Sequence, residues 1–138
     1  MPEQRTIPMN IGTEIPSLTL PSVSRATLAL YAGASGDHNP IHIDSDFARK
    51  AGMPDVFVHG MLSMAWLGRM LTDWQPQSRL RKFSCRFAAI TQLYDVIHCS
   101  GQVVELFEDE TGPCARVAIS ASRQDGTQTL VGEAIVTV

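Results

Sequence analysis

What the chain has little of narrows it first. Only three cysteines occur among 138 residues, Cys85, Cys99 and Cys114, and none stands in CxxC spacing. An odd, scattered set indicates neither a disulfide framework nor a zinc knuckle. Reduced thiols point to the cytoplasm. Positive charge is scarce as well: 11 Lys and Arg against 14 Asp and Glu leave a net charge of −3. No basic field exists to hold nucleic acid or anionic lipid. No apolar run nears the roughly 20 residues that a membrane helix needs. The first residues, MPEQRTIPMNIG, lack the basic-then-apolar order of a secretory signal. No repeat, low-complexity segment or Ser/Gly/Pro-rich linker interrupts the chain, and its length suits one compact domain over residues 1–138. With 44% apolar and 18% charged residues, the chain has the composition to bury a core.

Along the chain, residues 1–13 read as a loosely ordered lead-in, and Leu18 to Leu20, stopped by Pro21, as a short strand. Ser24 is placed to cap a helix through Thr27, Leu28, Leu30 and Tyr31 that ends near Gly33 and Gly36. The stretch GDHNPIHIDSD at 36–46 is too rich in Gly, Asp, Asn and Pro for regular structure, and Pro40 would break a helix laid across it. A short helix over Ser45 to Lys50 follows, ended by Gly52. From Gly60 to about Trp74 there is no proline, and Met61, Leu62, Ala65, Leu67, Met70, Leu71 and Trp74 make the segment apolar nearly all round. That pattern predicts a well-buried helix. After Pro76 the texture changes: residues 80–90, 94–107, 113–123 and 128–138 are rich in Val, Ile, Phe, Thr and Cys, with alternating patches such as RVAISASR and a polar turn at Gly126. These read as an antiparallel meander. One buried helix followed by four strands predicts an α+β domain whose sheet wraps over that helix.

The residues that carry chemistry cluster at Gly36 to His42, which offers Asp37, His38, Asn39 and His42. A proline-stiffened loop can aim Asp37 and His42 into one cleft, and a carboxylate and an imidazole beside one water can pass protons to and from it. Downstream, His59-Gly60 opens the apolar helix. A glycine at a helix N-terminus leaves its N–H unpaired and open to close approach, which suits a carbonyl oxygen that gains negative charge. The same Gly-Asp-x-Asn-Pro pattern also makes a good turn, with Asp37 and Asn39 bonded to local backbone. Spacing alone leaves both readings open.

YAGASGDHNPIHID, followed after a short helix by VHGMLSMAWLG, closely resembles the MaoC-like hot-dog dehydratases. These include (R)-specific enoyl-CoA hydratases and bacterial (3R)-hydroxyacyl-carrier-protein dehydratase subunits. The resemblance runs from Tyr31 through His59-Gly60-Met61 and the Arg86-Phe87 strand to VGEAIV at 131–136. It implies a hot-dog fold, usually an edge-paired dimer with active sites near the subunit interface. It implies Asp37 and His42 as the pair that holds and activates water, Asn39 as the residue that keeps this site in place, and the Gly60 N–H as the donor to the thioester oxygen. The reaction implied is reversible syn addition of water to a trans-2-enoyl thioester, giving the (3R)-hydroxyacyl product. Neither metal nor redox cofactor is implied; coenzyme A or acyl carrier protein carries the substrate. Gly60, Met61 and Arg86 are the expected substrate-binding residues. Three other assignments compete with enoyl-CoA hydration: a carrier-protein dehydratase subunit with a different partner subunit, a non-catalytic acyl-thioester-binding protein, and a thioesterase on the same fold.

Departures from the family pattern fall at Gly68, where some hydratases carry serine, and at Ile90 and Tyr94, which replace the usual Pro and Gly of the turn after the Arg-Phe strand. Tyr94 is expected near the pocket entrance. His38 and His42 form an HxxxH pattern, but Pro40 between them denies the helical stacking that a metal site would use. His38 is expected at the surface and His59 in a structural hydrogen bond. Arg79, Arg81, Lys82 and Arg86 read either as a phosphate landing site for the carrier or as a solvated strand face. Met53, Met61, Met64 and Met70 read as core or acyl-tunnel lining. Ser63 has no base at readable distance, which leaves little for a serine-hydrolase reading.

Overall fold

The computed structural model describes residues 9–138. Residues 1–8 of the expected lead-in lie outside the described residues. From residue 12 on, that segment is not loose. The Gly12 N–H donates to the Val103 carbonyl at 2.7 Å and the Val103 N–H to that of Thr13 at 2.8 Å. These bonds cover part of a strand edge that would otherwise present unpaired backbone groups.

The ordered elements begin with β1 (Leu18–Thr19) and α1 (Arg25–Ser35), followed by a 3-10 turn at Pro40–His42. Two helices come next, α2 (Ser45–Lys50) and α3 (Gly60–Trp74). The strands β2 (Leu80–Phe87), β3 (His98–Asp109), β4 (Gly112–Ser122) and β5 (Gln128–Thr137) complete the chain. Ser24 caps α1 by accepting from the Thr27 N–H. Gly36 ends the same helix at φ 78°, a left-handed conformation that costs a glycine nothing. Asp44 caps α2 through the N–H groups of Asp46 and Phe47.

The five strands form one antiparallel sheet in the order β1-β3-β4-β5-β2. β3, β4 and β5 are the expected meander. β2 is not part of it: it crosses over to pair with β5, from Leu80 opposite Val136 to Phe87 opposite Leu130. Alternation along β3 to β5 turns Val103, Val117, Ile119, Leu130 and Val136 inward, where they pack with Leu67, Met70, Leu71 and Trp74 of α3. The sheet curls over this helix, giving the α+β arrangement that the sequence predicts. The helix is not buried all round, however. Leu62, Ser63, Trp66, Leu67, Met70, Leu71 and Trp74 are buried, at the three- and four-residue spacing of a single stripe. Met61, Ala65, Arg69 and Asp73 face outward. β3 also starts later than expected, because Tyr94 at φ 69° and the buried Asp95 turn the chain before His98. Among the described residues no helix is long and apolar enough to cross a membrane.

Candidate active site

The loop after α1 is built by side chains that replace missing backbone partners. Ser35 Oγ accepts from the Asp37 N–H at 3.1 Å, Asp37 Oδ1 from the Asn39 N–H at 3.2 Å, and Asn39 Oδ1 from the Ile41 N–H at 3.1 Å. Pro40 heads the 3-10 turn, where its missing N–H costs nothing. The turn reading of this motif therefore holds. The turn chemistry occupies Oδ1 of Asp37, while Oδ2 has no partner among the described residues. Asn39 acts through the backbone, capping the turn that delivers His42.

His42 is the best-fixed member. Its Nδ1 lies 2.8 Å from the Phe57 carbonyl oxygen. A carbonyl only accepts, so Nδ1 carries the hydrogen and Nε2 is left as the proton-accepting atom. The ring meets Phe57 edge-on at 4.9 Å and stacks on His59 with centroids 4.1 Å apart. His59, 1% exposed, stands at the N-cap of α3. Its Nε2–H donates to the Asp37 carbonyl at 3.3 Å, and the Tyr31 ring packs against it at 4.7 Å. The expected structural bond is present, and its geometry joins α1, the loop after it and α3 at one residue. His59 Nδ1 is buried without a partner among the described residues. Burial, and then the nearness of His42, push the His59 pKa down, which favours its neutral form.

One carboxylate oxygen of Asp37 and one ring nitrogen each of His42 and His59 lie within 4.8 Å of one another, a spacing that a metal ion would also use. The stacking argues against such an ion. With the rings only 28° from parallel, the nitrogen lone pairs lie in separate, nearly parallel planes and do not meet at one point. The set suits a water between Asp37 and His42.

Gly60 supplies the other half of the site. No side chain caps α3, and the N–H groups of Gly60 and Met61 have no acceptor among the described residues. They stand at the positive end of the helix, where they can receive an oxyanion. A Cβ at Gly60 would come 3.0 Å from Phe87 Cε1, so glycine keeps this N–H approachable. Beside it lies a pocket of about 350 Å³ lined by Phe57, Gly60, Ser63, Phe87, Ile90 and Thr91 among others. Neither this pocket nor a larger groove of about 560 Å³, near Glu14, His98 and Gln128, is lined by Asp37 or His42.

Other expected residues fall elsewhere. Met61 is 58% exposed and stands outside the pocket, as do Met53, Met64 and Met70. Arg86 lies on the face of β2 opposite Phe87, directed away from Gly60 by strand alternation. The basic group does not converge on a phosphate: Lys82 pairs with Glu133 at 2.6 Å, while Arg79 and Arg81 bond to Gln75 and the Ser78 carbonyl. Tyr94 is not at the pocket entrance. Its hydroxyl accepts from Arg25 at 2.7 Å on the α1 side, whereas Ile90 does line the pocket. His38 is exposed. Gly68 has the Phe83 ring 3.3 Å from where a Cβ would stand. Ser63 is buried against Thr91 and has no base beside it. Sequence reasoning missed the Phe57 carbonyl, Phe87 and Thr91. No composition signal marks them, because their roles rest on a backbone oxygen and on strand placement.

A family model described as MaoC like domain matches residues 5–121. The chain is 30% identical over 129 residues to the fatty acid synthase subunit beta of Saccharomyces cerevisiae, covering 91% of this chain but 6% of that protein. It is 33% identical over 85 residues to a mitochondrial 3-hydroxyacyl-[acyl-carrier-protein] dehydratase of Arabidopsis thaliana, covering 62% of this chain and 51% of that one. To the (R)-specific enoyl-CoA hydratase of Aeromonas caviae it is 30% identical over 113 residues, 80% of this chain and 83% of the relative. The solved structure of an Aeromonas caviae (R)-hydratase superposes with a TM-score of 0.82 over 97% of this chain and 98% of that one, at 26% identity. The chain thus spans about a twentieth of the length of the fungal synthase subunits that it matches.

Proposed function

The chain belongs to the MaoC-like dehydratase family, with the hot-dog fold, and from that premise we propose that it is a hydro-lyase acting on acyl thioesters. It adds water reversibly and syn across trans-2-enoyl thioesters to give (3R)-hydroxyacyl thioesters. The observation that carries this reading is the convergence of the Asp37 carboxylate and a His42 ring whose hydrogen is pinned on Nδ1. In hydration, a water held by Asp37 and His42 Nε2 gives a proton to one of them and forms the C–O bond at C3. The C2=C3 electron pair moves into an enolate whose oxygen meets the Gly60 N–H, and C2 then takes the proton back. Because one water site supplies both hydroxyl and proton, addition is to one face.

The proposed chemistry uses coenzyme A or acyl carrier protein as the substrate's carrier and needs no metal or redox cofactor. We place the protein in the cytoplasm as a homodimer or higher homo-oligomer. Supporting the dimer, β2 is an edge strand, and Met61, Phe87 and Ile90 beside it are exposed large apolar side chains. A second reading, dehydration of (3R)-hydroxyacyl groups on carrier protein, is favoured by the similarity to the Arabidopsis dehydratase. A higher kcat/KM on acyl-carrier-protein than on the matching coenzyme A thioester would select it.

The test follows loss of the enoyl-thioester absorbance of crotonyl-CoA with wild type and Asp37→Asn. Removing a general acid–base group is expected to lower the rate by about 10²- to 10⁴-fold. Activity that survives in Asp37→Asn would sink the mechanism. Inactivity of the wild type on both crotonyl-CoA and enoyl-carrier-protein substrates would sink the assignment.

A further inference from the structure

Two polar side chains line the pocket beside Gly60. Ser63 and Thr91 are 2% and 3% exposed, both line the pocket, and their hydroxyl oxygens lie 3.5 Å apart. That is the outer limit of a hydrogen bond. Neither hydroxyl has another partner among the described residues. Each hydroxyl offers one donor and two acceptor positions, so a single long contact leaves at least one donor and several lone pairs unused. The nearby Thr129 shows the contrast: its hydroxyl, equally buried, donates to the Ala121 carbonyl at 3.2 Å. The positions of the pair are fixed. The Val58 N–H donates to the Thr91 carbonyl at 3.0 Å, tying Thr91 to the segment that leads into Gly60. Ser63 follows Gly60 by three residues on α3, so the two share a helix face.

We propose that Ser63 and Thr91 form a polar seat in the acyl pocket, which selects enoyl thioesters whose chain carries a hydroxyl or carbonyl over equally long apolar ones. The inference rests on the hydratase reading, since Gly60 is taken as the residue that holds the thioester oxygen. Three residues, roughly 4.5 Å along the helix axis, separate Gly60 from Ser63. That is the reach of a substituent near the fourth or fifth acyl carbon. A polar group there completes the hydrogen bonds of both hydroxyls. An apolar chain of the same length displaces water from them and leaves them unpaired, and sites built to bond a substrate hydroxyl discriminate strongly against analogues that lack it.

The experiment measures kcat/KM of the wild type for hex-2-enoyl-CoA and for 5-hydroxyhex-2-enoyl-CoA, then repeats both with the near-isosteric Ser63→Ala/Thr91→Val double variant. The wild type is expected to prefer the hydroxylated substrate by at least tenfold, and the variant to lose that preference. A ratio is the readout, because a general loss of packing would lower both rates together. A wild-type ratio near one, or a preference unchanged in the variant, overturns the proposal and leaves the seat to an ordered water. Turnover of crotonyl-CoA with a flat ratio overturns this inference alone. No turnover of any enoyl thioester overturns it together with the hydratase reading.

Discussion

Replacing Gly132 with alanine tests how the sheet holds the site. Gly132 lies on β5 between Cys85 of β2 and Ile119 of β4. A Cβ there would run into the Ser84 carbonyl oxygen and come within 2.7 Å of Cys85 Cα and Cβ. Carbon atoms pack at about 3.5–4.0 Å, so β2 must move away by about an ångström, and no rotamer change relieves backbone. Overpacking of this kind costs about 1–3 kcal/mol. Two weakened ladder bonds between β2 and β5 add about 1 kcal/mol each. The reduced freedom of the unfolded chain returns about 0.4–1 kcal/mol. The net is about 3 kcal/mol, or a fall in Tm of about 12 °C at roughly 4 °C per kcal/mol for a chain of this size. Thermal unfolding followed by circular dichroism reads it, with Gly33→Ala as control. Gly33 is in α1 with nothing within 4 Å of an added Cβ. Alanine there should raise stability by up to about 1 kcal/mol. Activity should also fall in Gly132→Ala, because β2 carries Phe87 to the edge of the Gly60 pocket. A Gly132→Ala protein that melts within about 3 °C of wild type, a shift near 1 kcal/mol, would refute the reasoning.

Two further predictions concern the supports of the loop. The Ser45 hydroxyl first, then the Val56 N–H and Arg25, hold the Asp55 pKa down at about 2. A depressed carboxylate stabilises the folded chain fully above its unfolded value, near 3.8, and loses that contribution as pH falls toward about 2. The Tm gap between wild type and Asp55→Asn, wide at pH 6, should therefore close by pH 2; a constant gap would contradict it. His59→Ala removes the ring stacked under His42 and the donor to the Asp37 carbonyl. Crotonyl-CoA hydration is expected to fall at least tenfold, about 1.4 kcal/mol of barrier, in protein shown by its melting curve to be folded. A rate within twofold of wild type would remove His59 from the positioning of the site.

Local chemistry explains what could be read directly from the chain. The Ser24 cap, the Ser45–Lys50 helix, the span Gly60–Trp74 and the turn at Gly36 to His42 depend on capping side chains, glycine and proline, and on apolar spacing. Each of these acts within a few residues, so one sequence suffices to place it. Asp37, Asn39, His42 and Gly60 stand out as candidates through short-range patterns, the loop motif and the helix start, while the roles proposed for them come from the family resemblance.

Partners distant in sequence were decided only by tertiary structure. Nothing local tells β2 to pair with β5 rather than β3; that follows from which faces close over α3. The side of α3 left open follows from how far the sheet curls, so apolar residues all round could not mark Met61 and Ala65 as outward-facing. Strand alternation sent Arg86 away from Gly60 and Phe87 toward it, and the positive φ of Tyr94 carried that ring to Arg25. The tautomer of His42 was fixed by the Phe57 carbonyl, a group every residue possesses and no sequence pattern singles out. The residue types able to perform the chemistry were determined by the sequence itself. Which of their atoms are free, buried or opposed was settled by packing, because those properties belong to contacts between segments that only the folded chain brings together.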